Sequence, residues 1–155
     1  MPTTDQVIQD FYAAFNHRDG AAMAAHYAAD VHFSDPVFPD LQGGQAGGMW
    51  RMLTSQATDL AVELLDVHEH GDHAHAAWRA TYTFSRTGRP VVNEVLATFH
   101  LSEGLIVEHI DDFNFYRWSR QALGVSGLLL GWTPLLKRKV RQQAAAGLAK
   151  FLAET

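Results

Sequence analysis

No cysteine occurs anywhere in the chain, which removes disulfides, thiol nucleophiles and cysteine-ligated zinc together. Long apolar runs are missing too: none approaches the roughly 18 residues that a membrane-spanning helix requires. The segment Met1 to Tyr12 has no basic stretch followed by an apolar one, so no secretory leader is expected. None of Ser34, Ser55, Ser85, Ser102, Ser119 or Ser126 sits in a Gly-x-Ser-x-Gly elbow, and Gly43 to Gly48 lacks the lysine and hydroxyl residue of a phosphate-binding loop. The aromatic residues have no basic interleaving of the kind that grips single-stranded nucleic acid.

What is present is 155 residues, 47% apolar, a length at which one core forms without staples. A cytoplasmic globular protein without nucleic-acid or membrane partners is the expectation. The net charge of −5 hides an asymmetry. Over residues 1–116 only Arg18, Arg51, Arg79, Arg86 and Arg89 oppose 16 acids, whereas over 117–155 seven cations (Arg117, Arg120, Lys137, Arg138, Lys139, Arg141, Lys150) oppose Glu154 alone. An acidic body repels phosphates, so the basic tail reads as a surface helix facing that body or a second subunit.

Periodicity divides the chain. Val7, Ile8, Phe11, Tyr12 and Phe15 predict a helix from Thr4 to Asn16 with Thr4 or Asp5 as its cap. A second helix is expected from Ala21 to about Tyr27, an extended run from Val31 to Asp35, a loop at the Pro36–Gly48 punctuation, and a third helix from about Gly47 to Ser55. The pattern then changes to strands: Leu60–Glu69, Ala74–Arg86, Pro90–Leu101 and Leu105–Tyr116, separated by turn signals at Gly71-Asp72, Gly88 and Gly104. Helices first and a meander afterwards is an α+β pattern. From Trp118 to Thr155 the chain is helical again, divided by Gly124, Gly127, Gly131 and Pro134, with Val140, Ala144, Leu148 and Leu152 forming a stripe on the last helix.

Strand alternation groups Trp78, Ala80, Tyr82 and Phe84 on one side, Asn93, Val95, Ala97 and Phe99 on another, and His109, Asp111 and Phe113 on a third. The aromatic side of Trp78 is taken as inward. Leu128, Leu129, Leu130, Trp132, Leu135 and Leu136 are too densely apolar to leave in water, and packing on the pocket, the body or a second subunit is expected.

The order of elements, the segment His26-Tyr-Ala-Ala-Asp-Val-His-Phe-Ser-Asp-Pro-Val-Phe38 and the turns Thr-Gly-Arg-Pro90 and Ser-Glu-Gly-Leu-Ile106 resemble the nuclear transport factor 2-like superfamily, in particular its SnoaL-like and ketosteroid isomerase-like members. The resemblance covers residues 5 to 117. It implies a cone, that is, a curved antiparallel sheet wrapped on N-terminal helices, as a domain at 1–117 with a C-terminal helical extension at 118–155. It also implies a homodimer and a pocket for a small apolar molecule, with no cofactor.

Tyr27-Ala-Ala-Asp-Val31 followed by Asp35-Pro36-Val37 is similar to the stretch that carries the isomerase general base, which places that role on Asp35. Two departures stand out. Phe11 takes the position of the tyrosine that donates to the oxyanion, and Ala97 that of the protonated aspartate; each missing donor costs about 10²–10³-fold. Ser102 to Asn114 is similar to a segment of the limonene epoxide hydrolases and places Asp111 on one of their catalytic acids. Trp78 and Ala80 stand where those enzymes use an Arg-x-Asp, which makes hydrolysis of that kind a third reading.

Candidate catalytic residues are therefore Asp35, Asp111 and His109; candidate substrate contacts are Tyr27, Phe33, Trp50, Trp78, Tyr82, Asn93 and Phe113. Two acids in one aromatic cavity are expected to couple, one of them with a raised pKa suited to proton transfer near neutrality. A binding module that keeps the pocket without the chemistry is the alternative. No metal is assigned to the pocket. At the first hairpin a two-residue Gly71-Asp72 turn sets His70 against His73 and His68 against His75, compatible with either a metal site or an exposed polar tip.

Overall fold

A computed structural model describes residues 1–155. Helix α1 (Thr4–Asn16) begins at Thr3, whose hydroxyl accepts from the Gln6 amide, one residue ahead of the expected caps. The helix buries Val7, Ile8, Phe11, Tyr12 and Phe15. Asp19 caps the short α2 (Gly20–Ala25) in the same way. Strand β1 (Tyr27–Ser34) starts where the sequence pattern suggested more helix. The reason is long-range pairing, which overrides the local preference of its first residues. After the two-residue β2 (Leu41–Gln42), helix α3 (Gly44–Gln56) starts inside the glycine cluster read as loop.

Strands β3 (Ala61–His70), β4 (His73–Phe84), β5 (Arg89–Ser102) and β6 (Leu105–Asp112) form the expected meander. The sheet order is β2-β1-β6-β5-β4-β3. All neighbours run antiparallel except β1 and β6, which pair in parallel, Phe33 against His109 and Ser34 against Ile110. His70 faces His73 and His68 faces His75, as a two-residue turn requires. Gly71 at φ 63° in its first position, with Asp72 outside the left-handed region, fits the type II′ form. The strand faces alternate as the pattern indicated. Trp78, Ala80, Val95, Ala97, Phe99, His109 and Asp111 are buried on the inner face.

The core is one large apolar cluster between α1, α3 and the inner sheet face, with a smaller one around Val91, Phe115, Trp118 and Ala122. The fourth predicted strand is shorter than expected: Asn114 instead caps α4 (Phe115–Leu123) by accepting from the Arg117 amide. Helices α5 (Val125–Leu130) and α6 (Pro134–Ala153) follow. The stripe on α6 docks on the body, with Leu148 in the main core and Ala144 and Leu152 packed against it. A Cβ added at Gly48 of α3 would stand 2.5 Å from Leu152, so this glycine admits the helix.

Of the seats expected for the apolar group around the start of α6, the body is not the one taken by its most exposed residues. Leu129 is 61% exposed, Trp132 74% and Leu135 75%. A Cβ on Gly127 would lie 1.9 Å from the Ser119 carbonyl oxygen. The glycine side of α5 is therefore the side seated on α4, and Leu128 to Leu130 are turned away from the body.

Candidate functional site

The parallel pairing of β1 with β6 creates the site. Ser34 pairs with Ile110, so one residue further along Asp35 comes level with Asp111. Both carboxyl groups face a cavity of about 540 Å³ between the inner sheet face, α3 and α6. Of the 27 lining residues 18 are hydrophobic, the character of a small-molecule pocket.

Asp35 opens the turn after β1. Its Oδ1 accepts from the Val37 amide at 2.7 Å and the Phe38 amide at 2.6 Å, while Oδ2 takes no hydrogen bond from the protein. Burial pushes the carboxyl from its ordinary 3.8 up to about 7, with the nearby Asp111 adding to the rise. The two amides and the Arg141 guanidinium pull in the opposite direction without cancelling it. Arg141 reaches over from α6 to donate to the Pro36 carbonyl at 2.8 Å. Arg141→Met therefore raises the Asp35 pKa above the parent value, readable by carboxyl ¹³C NMR, and no change would show that the guanidinium does not act on the acid.

Asp111 Oδ1 accepts from Trp78 Nε1 at 3.3 Å and lies 2.9 Å from His109 Nε2. On the far side of the imidazole, Nδ1 is 2.7 Å from the Tyr27 hydroxyl, which accepts from Trp50 Nε1 at 2.7 Å. Partner counting assigns the protons. With Trp50 donating to the phenolic oxygen, Tyr27 donates to Nδ1, leaving the ring proton on Nε2 to face Asp111. The chain Trp50–Tyr27–His109–Asp111 thus runs through the core and ends at the cavity wall.

Of the residues singled out from sequence, Asp35, Asp111, Trp50, Trp78, Tyr82, Asn93 and Phe113 line the cavity. His109, Tyr27 and Phe33 do not. Each is at most 9% exposed and packed behind the wall, because their strand positions point at α1 and α3 where those helices cover the sheet. His109 and Tyr27 therefore act only through Asp111 and Trp50, and Phe33 is core.

Sequence reasoning missed several contributors. Trp118 lines the cavity and donates to the Tyr82 hydroxyl at 2.8 Å, so the Tyr82 O–H is left free to donate inward. Burial raises the Tyr82 pKa and keeps that proton in place. Val140, Gln143, Ala144 and Gly147 bring α6 across the mouth. The spacing of Val140 and Ala144 marked an apolar helix face but not the surface it meets. Tyr12 is on the buried side of α1, and its hydroxyl has no hydrogen-bond partner in the protein. Leaving such a group unpaired costs about 1–3 kcal/mol. Tyr12→Phe is thus expected to melt at or above the parent temperature in a thermal scan, and a clear drop would reveal a partner for the hydroxyl.

The SnoaL-like domain family matches residues 8–109, about two thirds of the chain. The chain belongs to the SnoaL-like family. Its cone is shared with solved structures. One is a protein of ketosteroid isomerase-like fold from Catenulispora acidiphila DSM 44928 in complex with trimethylamine (TM-score 0.70, 18% identity, covering 85% of this chain and 100% of that one). A second is IdmH, a candidate polyketide cyclase from Streptomyces antibioticus (TM-score 0.66, 23% identity, 79% and 99% covered). A third is a nuclear transport factor 2-like protein from Burkholderia thailandensis E264 (TM-score 0.65, 24% identity, 74% and 92% covered). No curated protein matches the sequence. At these identities the likeness establishes the fold alone. The SnoaL-like match ends at His109, so Asp111 and the α6 residues over the cavity lie outside it.

Proposed function

We propose that this SnoaL-like protein is a cofactor-independent enzyme of the isomerase or cyclase type, transferring a proton on an apolar, carbonyl-bearing small molecule. The observation that carries the reading is Asp35: a carboxyl with one oxygen free toward an apolar cavity and a pKa lifted to about 7. A base poised near the working pH combines a useful ionised fraction with enough basicity to remove a proton next to a carbonyl. In the proposed cycle Oδ2 takes that proton, the C–H electron pair moves into an enolate, and the protonated Asp35 returns the proton to a second carbon. Tyr82 O–H and the Asn93 amide, both at the wall, are the donors for the enolate oxygen. Asp111, held by Trp78 and His109, stands near Asp35 and adds to the rise of its pKa.

The alternative of a binding module has support in the positions of Phe11 and Ala97, which offer no donor to a ligand oxygen. One experiment separates the two readings. Apolar cyclic ketones are incubated in D₂O with the protein, α-proton exchange is followed by NMR, and binding by quenching of tryptophan fluorescence. Accelerated exchange supports the enzyme; tight binding of such ketones without exchange supports the module. The reading includes a homodimer through the outer sheet face, supported by Leu96, 66% exposed, and Ile110, 37% exposed. Sedimentation velocity tests it, with a monomer at micromolar concentration as the contrary result.

A further inference from the structure

On the outer face of the sheet, away from the cavity, three potential ligands meet at the β3–β4 turn: Asp72, His73 and His100. One ligand atom from each lies within 4.8 Å of the other two. His73 and His100 are a directly paired cross-strand position of β4 and β5, and their imidazoles stack with centroids 4.3 Å apart. Asp72 Oδ1 is 3.6 Å from His73 Nε2, and Asp72 Oδ2 is 3.4 Å from His100 Nε2. These spacings are long for N–H···O bonds. The 3.4 Å spacing equals a ligand–ligand edge of a tetrahedral centre, about 3.3–3.5 Å for metal–ligand bonds of 2.0–2.1 Å, and the 3.6 Å one, to the other carboxylate oxygen, is slightly longer.

We propose that Asp72, His73 and His100 form a surface site for a borderline divalent transition-metal ion such as Zn²⁺, with the remaining positions open to water or an exogenous ligand. Two imidazoles and one carboxylate suit zinc, nickel or cobalt rather than calcium or magnesium, which favour all-oxygen cages. The backbone that carries the ligands is already fixed. The Leu101 amide donates to the Asp72 carbonyl at 2.8 Å, and the Thr4 hydroxyl donates to the Gly71 carbonyl at 2.7 Å. The turn is thereby tied to β5 on one side and to α1 on the other, and only side-chain rotations that open the imidazole stack are needed. A bound ion joins the β3–β4 turn to β5 by bonds stronger than those present without it. The neighbouring His68 and His75 pair with each other across β3 and β4 and stand outside the cluster.

The test uses Zn²⁺ and Co²⁺ with the full-length protein. Isothermal titration calorimetry is expected to give one Zn²⁺ per chain, and Co²⁺ a visible d–d band. His73→Asn and His100→Asn should each weaken Zn²⁺ binding at least about tenfold, because one of three protein ligands is lost. His68→Asn and His75→Asn should leave it unchanged. The thermal midpoint should rise with Zn²⁺ in the parent and not in His100→Asn. Circular dichroism verifies that each variant folds, and having two independent ligand variants keeps the test decisive if one does not. Absence of saturable binding, or binding lost equally on replacing His68 or His75, overturns the proposal.

Discussion

Asp35→Asn is expected to reduce α-proton exchange by about 10²–10⁴-fold, the usual contribution of a positioned general base, while ligand affinity changes little. The substitution is close to isosteric. The asparagine Oδ1 can still accept from the Val37 and Phe38 amides, as Asp35 Oδ1 does, so the turn after β1 is kept. What disappears is the carboxylate with a raised pKa that takes the proton. The separation of rate from binding is what distinguishes a base from a structural acid. Equal loss of binding and exchange would show that Asp35 shapes the cavity instead. In Asp111→Asn the amide Oδ1 can likewise keep both bonds that Asp111 Oδ1 makes, to Trp78 and His109.

The second large effect is on stability against pH. An acid whose native pKa is raised binds its proton more tightly when folded, so its contribution is fully present below the unfolded value and is lost as pH rises through the folded value. For Asp35 the window runs from 3.8 to about 7. Within it stability falls by up to about 1.4 kcal/mol per pH unit, about 4 kcal/mol in all. Asparagine cannot ionise, so the Asp35→Asn protein should match the parent near pH 4 and exceed it by about that amount at pH 8. Urea unfolding at both pH values, with the difference taken between variants, cancels the titration of every other group. A constant difference between the two curves would contradict the raised pKa.

Local pattern carried much of this architecture. The five apolar residues of α1, the turn glycines at 71, 88 and 104, and strand alternation were enough to order the meander and to place Trp78, Asn93 and Asp111 on its inner face. Contacts with no local signature were not legible. Nothing between residues 34 and 105 announces that β1 runs parallel beside β6, the pairing that brings Asp35 to Asp111, and only the family resemblance put the two acids in one cavity. Faces also say nothing about which inward residue reaches open space. His109 and Asp111 share a face, but α1 covers the first and leaves the second at the cavity. The α6 stripe was readable as a stripe, whereas its seat at Gly48 depended on a missing side chain forty-eight residues into the chain. For Leu128 to Leu130 composition marked an apolar group but not its direction, which the glycine contacts of α5 set away from the body. His100 was invisible beside the other histidines because the β4–β5 register is set by a turn whose length the Thr87-Gly88-Arg89 signal does not fix.

The central claim is that an apolar cavity holds Asp35 as a base tuned to neutrality. Its most direct test is a ¹³C NMR titration of the aspartate carboxyl groups, with the Asp35 resonance assigned by its absence in the Asp35→Asn protein. A midpoint near 7 is the predicted result. A midpoint near 4, the ordinary aspartate range, would contradict the account.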